Sequence, residues 1–284
     1  MMFAQTLSFN EPAAVDTVGN TRMTVVYQYV CNTKDEYNMP ISDSLLIVLQ
    51  VGEGILKWFP YGRYMTQKDK SFNSLDYIYQ ETMMHVQTIF IDNVNGSIIG
   101  RETVGTICFE TNEEKSYPAW ILGSNNCKVL GYDCLNATGD FHGKKWMAQY
   151  TEDIPISAGP WKLGGLPGLI LKAEDKDGIH SFEAVQVFAD DTPIIFDKYY
   201  VVRRFTAKGV DDKRFDYQKK SLKDMISHRK SVFGHKNYPS NPMLFVTDGG
   251  YQEFRYGDFF DINVIDGVVV PNKAHKYQPL EDNL

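Results

Sequence analysis

The sequence has no apolar run approaching the roughly 18 residues that a membrane-spanning helix needs. Its best stretches are Leu45 to Leu49 and Leu169 to Leu171, so no membrane span is expected. The common catalytic signatures are also missing: there is no H-E-x-x-H, no G-x-S-x-G, no P-loop and no dinucleotide fingerprint. Gly52-Glu53-Gly54 is followed by Lys57 where a third glycine would be needed to cradle phosphate. Asp175-Lys176-Asp177-Gly178 opens like a calcium loop, but oxygen ligands do not follow at the required spacing, which leaves a hairpin turn. The six histidines are scattered, and His228 and His235 stand too far apart to imply a metal site. No cofactor and no metal is therefore expected.

Positive charge is scarce overall. Lys and Arg number 29 against 36 Asp and Glu, a net charge of -7, which argues against a general nucleic-acid binder. The basic residues concentrate between Lys198 and Lys236, where a solvated helix face is the plain reading and docking to an acidic partner the sharper one. Cysteine is sparse too. Cys31, Cys108, Cys127 and Cys134 contain no C-x-x-C, which excludes a zinc knuckle and a thioredoxin-type pair, while their even number permits disulfides in an oxidising compartment. If residues 127–134 run as one straight strand, Cys127 and Cys134 lie ~23 Å apart on opposite faces and cannot bond.

What the chain does have is length and aromatic bulk. Its 284 residues are 43% hydrophobic and 13% aromatic, and surface scaling predicts burial of ~74% of the unfolded surface. One globular domain is expected. Short segments rich in Val, Ile, Thr, Tyr and Phe dominate, among them Thr24 to Cys31, Leu45 to Val51, Ser97 to Thr103, Lys128 to Thr138, Lys144 to Thr151, Leu169 to Glu174, His180 to Phe188 and Phe260 to Val270. Asn93 to Gly96, Asp140 to Gly143 and Lys176 to Gly178 lie between pairs of them, where a left-handed glycine closes a hairpin. The expected fold is mainly β (α+β): an antiparallel meander sheet, curved or half-barrel-like, with about two covering helices. Those helices are Ser71 to about Val86 and Asp212 to Phe233, each with one apolar stripe.

Residues 1–20 read as an N-terminal arm or signal-peptide remnant, because Met1-Met2-Phe3-Ala4 resembles the end of a leader's apolar core. Residues 21–272 read as a single β-rich domain and 273–284 as a polar tail.

The most informative segment is Ile154 to Leu171. Leu166-Pro167-Gly168-Leu169 predicts a type II turn, with Pro presetting a negative φ and Gly168 taking a positive one. Gly159-Pro160 predicts a second turn. Trp161, Leu163 and Leu166 between them are too apolar for a free loop and are expected to cover a sheet face or its open end. The run from Gly165 to Ile170 offers only backbone polar groups and no acid, base or nucleophile, so shape is what it supplies.

The run Gly165-Leu166-Pro167-Gly168-Leu169-Ile170 resembles the signature of the GLPGLI family of exported bacterial proteins. Similar blocks surround it: Lys128 to Ala137, Phe141 to Trp146, Tyr150 to Ile156, and Ser181-Phe182-Glu183. The resemblance implies export, a β-rich fold and a periplasmic or cell-surface location, and it supplies no catalytic residue. At least one disulfide is then expected.

The leading functional reading is a noncatalytic exported protein that binds an apolar small molecule or peptide, or an envelope protein partner. Trp161, Leu163, Leu166, Pro167 and Leu169 are its candidate contact residues. A competing reading is a hydrolase drawing acid and base from Asp133, Asp140, His142, Glu152 and Asp153 around one hairpin. A third is a structural assembly partner of an outer-membrane complex, using the basic helix.

Overall fold

The computed structural model describes residues 14–34, 38–72, 86–104, 107–198, 202–206, 243–247, 250–254, 262–265 and 268–271. The elements in order are β1 (Ala14–Lys34), β2 (Pro40–Gly52), β3 (Ile55–Pro60), α1 (Tyr61–Lys68), β4 (Thr88–Asp92), β5 (Ser97–Val104), β6 (Ile107–Glu114), β7 (Ile121–Val129), β8 (Tyr132–Phe141), β9 (Lys144–Thr151), β10 (Leu169–Asp175), β11 (His180–Ala189), β12 (Pro193–Lys198) and β13 (Val202–Thr206). Two separate hairpins follow, β14 (Met243–Thr247) with β15 (Gly250–Phe254) and β16 (Ile262–Ile265) with β17 (Val268–Pro271).

The first thirteen strands form one sheet in the order β13-β6-β5-β4-β3-β2-β1-β11-β10-β9-β8-β7, with β12 paired to β1 off this path. The ends of that order, β13 and β7, do not pair with each other, so the sheet is open. It is antiparallel apart from the parallel β13–β6 contact, and the expected mainly-β antiparallel class holds. Sequence neighbours pair because their loops are short. Gly96, Gly143 and Gly178 take φ values of 68°, 79° and 67° at the three expected hairpins.

Strand β1 is the hub. Its residues from Thr21 onward pair with β2, those from Met23 to Cys31 also pair with β11, and Ala14 to Asn20 pair with β12. The boundary expected at residue 20 thus falls inside a continuous strand.

The two sheet faces are both apolar, and different elements cover them. One buries Tyr27, Tyr29, Trp58, Trp146, Phe182 and the aliphatic residues around them. The other buries Val26, Val48 and Phe59, on which Tyr64 of α1 packs with the partly buried Tyr61 and Met65. Tyr61, Tyr64, Met65 and Lys68 fall at helical spacing, so the eight-residue helix is docked by its stripe rather than by a cap; it has no side-chain cap hydrogen bond. Toward β3–β5 this second face is covered by β12. The Phe90 and Phe196 rings lie 4.8 Å apart, and the Arg101 guanidinium stacks 3.6 Å over Phe196.

Three expectations need correction. Lys128 to Thr138 is not one strand, because Leu130 (φ 52°) and Gly131 (φ 85°) turn the chain and make the β7–β8 hairpin. Phe260 to Val270 is likewise two strands, β16 and β17, with Asp266-Gly267 between them, a strong hairpin dipeptide. Gly168 does not take a positive φ; that conformation falls to Gly165, at 84°. The expected helix from Ser71 to Val86 lies outside the described residues except at its ends, and the expected helix from Asp212 to Phe233 lies wholly outside them.

Candidate functional site

Residues 152–168 leave the end of β9, cross the aromatic face and return as β10. The chain is fastened at both ends: Leu169 N donates to Ile154 O at 3.1 Å and Ile170 N to Ala158 O at 2.9 Å. Leu163 N donates to Pro160 O at 3.0 Å, closing the turn expected near Gly159-Pro160.

The glycines here are required by close approach more than by turn type. A Cβ on Gly168 would stand 2.0 Å from Thr151 O, a backbone atom that cannot swing away. A Cβ on Gly164 would stand 2.7 Å from the Tyr117 ring, and one on Gly165 2.8 Å from Tyr117 Cβ. Trp120 Nε1 donates to Gly164 O at 2.6 Å. The extended residues leading into β7 are thereby pinned to the Gly-Leu-Pro-Gly-Leu-Ile run, and that contact positions the start of β7.

Of the expected contact residues, Trp161, Leu163, Leu166 and Leu169 are buried in the core and only Pro167 is exposed. Trp161 joins an aromatic chain, with its ring centroid 5.7 Å from Phe141, 5.4 Å from His142 and 5.9 Å from Trp146. It does so at φ 55°, a strained conformation for a bulky residue, of order 1–3 kcal/mol, which the packing holds. Lys162 beside it is fully buried and paired with Glu113. The apolar cover expected from sequence is present, and it covers the sheet by filling it.

Asp133 and Asp140 stand seven residues apart on β8, ~23 Å along a strand, at opposite ends of the hairpin. Asp133 pairs with Lys128 at 2.8 Å and Asp140 with Lys145 at 3.5 Å, all four well exposed. His142 sits at the Asp140 end, in the β8–β9 turn, whereas Glu152 and Asp153 are exposed past the end of β9. These five residues do not converge on one point.

Two polar groupings were invisible in sequence because strand register creates them. At one end of β1, Cys31 and His180 are cross-strand partners, and Tyr29 OH lies 2.9 Å from His180 Nδ1. Asp175 is buried and accepts from His180 N at 2.6 Å. Burial pushes the Cys31 thiol up to about 11, with Asp43 and Asp175 adding to the effect and Tyr29 and Lys144 opposing it. A thiol so held is protonated at neutral pH and is a poor nucleophile. Near the middle of β1, Asp190 accepts from Thr24 Oγ1 (2.6 Å), Tyr64 OH (2.8 Å) and Thr192 Oγ1 (2.9 Å), while Lys68 donates to Tyr64 OH at 2.9 Å. This network ties α1 to the sheet. Among the described residues no group of three or more His, Cys, Asp or Glu side chains could hold a metal.

The remaining feature is the edge strand β7. Among the described residues no strand pairs with its outer side. Ile121 and Leu122 are 72% and 58% exposed, and the strand Ile-Leu-Gly-Ser-Asn-Asn-Cys-Lys-Val carries one charge, Lys128, near its far end. Charged side chains along an edge are what ordinarily discourages pairing with another chain.

A family described as "Protein of unknown function (Porph_ging)" matches residues 141–172, the stretch from the β8–β9 turn to β10. No curated protein matches the chain. Among solved structures, PNGF-II in space group P21 is 17% identical with a TM-score of 0.48, covering 71% of this chain and 34% of that one. Its C2 form is 17% identical with a TM-score of 0.43, covering 66% and 32%. This chain spans about a third of the length of PNGF-II.

Proposed function

We propose that the chain is a noncatalytic exported protein of the GLPGLI type that captures an extended segment of an envelope protein along β7. The carrying observation is the open edge: a strand whose outer side has no strand partner among the described residues, with exposed Ile121 and Leu122, held in place by the contact of Trp120 and Tyr117 with Gly164 and Gly165. Backbone groups of such an edge supply affinity and alternate side chains supply selectivity. A protein partner is favoured over a small apolar ligand because Trp161, Leu163 and Leu166 already fill the aromatic face. The similarity of Gly165 to Ile170 and its flanking blocks to exported proteins supports the location.

The test is site-specific photo-crosslinking of the full chain in its native cells. A crosslinker at Leu122 is expected to give one discrete protein adduct in the envelope fraction. One at Val94, an equally apolar and 80% exposed hairpin position, gives none. Equal labelling at both sites, or fractionation of the chain with the cytoplasm, overturns the proposal.

A further inference from the structure

We propose that Cys127 and Cys134 close a reversible cross-strand disulfide that staples the edge strand β7 to β8. The two are direct register partners, and of the four cysteines only they face one another in the pairing. The turn between them fixes their geometry. Positive φ at both Leu130 and Gly131 marks a type I′ two-residue loop, so Val129 and Tyr132 form the hydrogen-bonded pair that closes it. Pairs then alternate: Lys128 with Asp133 is the non-hydrogen-bonded pair, and Cys127 with Cys134 is hydrogen-bonded again. Across such a pair the Cα atoms lie about 5.5 Å apart, inside the roughly 4.4–6.8 Å that a disulfide spans. The Cys127 Sγ already sits 3.7 Å from Cys134 O.

Both side chains are thiols in the structure, and their surroundings differ. Cys127 is half-exposed on the open edge, whereas Cys134 is buried. The outer thiol therefore meets the oxidant first. Cys127 thiolate attacks one sulfur of a small-molecule disulfide of the glutathione class, releasing one thiolate and leaving a mixed disulfide. Cys134 then gives up its proton and attacks Cys127 Sγ, and the second small thiolate departs. The net change consumes two protein thiols and one small disulfide, and yields one protein disulfide and two small thiols. Burial raises the pKa of Cys134, so its attack in the second step quickens as pH rises.

Reversibility follows from register. Cβ atoms of directly opposed residues lie about 4.5–5.5 Å apart, closer in non-hydrogen-bonded pairs, whereas a disulfide prefers about 3.8 Å. Closing the bond at this hydrogen-bonded pair pinches the strands, and a pinched bond opens readily to excess thiol.

The experiment equilibrates the purified full chain in glutathione buffers, traps free thiols by alkylation under denaturing conditions and maps tryptic peptides. Cleavage at Lys128 separates the two cysteines, so the bond joins the peptide ending at Lys128 to the one ending at Lys144. The wild type and a Cys31→Ser/Cys108→Ser variant are each expected to lose two thiols and yield that linked pair, with both thiols recovered in excess reduced glutathione. Cys127→Ala and Cys134→Ala, whose folding is checked by circular dichroism, yield no linked pair. A bond from Cys127 or Cys134 to Cys31 or Cys108 overturns the proposal. So does a stable glutathione adduct on Cys127 with Cys134 still alkylatable, or a bond that excess glutathione does not open.

Discussion

Two buried ionisable side chains bracket the pH response of the fold, and both make stability rise with pH, one in the basic range and one in the acid range. The Lys57 ammonium lies under β12, donates to Ile195 O at 2.7 Å and sits 4.2 Å over the Phe59 ring. Burial pushes its pKa down to about 8, with Arg63 and Arg101 adding and Asp197 opposing. An unfolded lysine titrates near ~10.4, so between these values the unfolded chain holds a proton that the folded chain has lost, and stability rises with pH. Below the lower value the folded chain carries the whole penalty, about 3 kcal/mol. Urea unfolding on either side of pH 8 is expected to show this rise in the wild type and a flatter profile in Lys57→Met; parallel profiles refute the assignment. Asp190 gives a slope of the same sign at the acid end, as a stabilising group rather than a penalised one. Burial pushes its carboxyl up, but hydrogen bonds from Thr24, Tyr64 and Thr192 outweigh it and hold the pKa at about 2. Its contribution is complete above ~4, the ordinary carboxylate value, and is lost as pH falls through the folded value. Asp190→Asn should cost ~1–2 kcal/mol at neutral pH and remove that acid-side loss. An unchanged acid limb in the variant counts against it.

At the scale of the element, the Gly-Leu-Pro-Gly-Leu-Ile run acts as a wedge whose glycines mark where backbone and rings approach most closely. Gly168→Ala drives a methyl into Thr151 O, and neither strand end can retreat, so a loss of about 3 kcal/mol or more is expected. Leu166→Ala removes buried side chain without strain and should cost ~2–5 kcal/mol with a local loosening of the aromatic face. Near-UV circular dichroism separates them at matched urea midpoints, the second variant alone losing Trp161 asymmetry while native; identical spectra refute the distinction. The apolar character of this segment was legible in sequence, since Trp161, Leu163 and Leu166 have no role in a free loop. Which glycine does what was not: turn chemistry pointed to Gly168, but what constrains Gly168 is Thr151, a neighbour brought in by the β9–β10 pairing. The same limit explains β3, bounded by Gly54 and Pro60 and interrupted by Lys57, and β12, which begins at a proline. Neither alternates cleanly, because β12 lies over the β3–β5 face, where Lys57 finds its acceptor. The Leu130-Gly131 turn was missed because leucine seldom enters a left-handed conformation.

At the scale of the whole molecule, the order of the sheet sets a gradient of protection. Strand β1 pairs at its centre with both β2 and β11, and its partners on β11 lie some 150 residues away in the chain, as Tyr29 with Phe182 shows. Such long-range pairing makes folding slow and the centre cooperative. Tyr27 reinforces it, donating from the buried core to Ile170 O at 2.7 Å and so joining β1 to β10. Protection against hydrogen exchange should therefore be greatest in β1, β2, β10 and β11 and should fall toward β7. Residues Ile121 to Leu122, whose pairing with β8 is interrupted before Asn126, should exchange fastest. Closing the Cys127–Cys134 bond should slow exchange in β7 and leave β1 unchanged, because only the edge can open without breaking the centre. Equal protection of β7 and β1 in the reduced, partner-free chain means that another segment or a second copy already covers the edge, and capture of a partner along it then fails with the gradient.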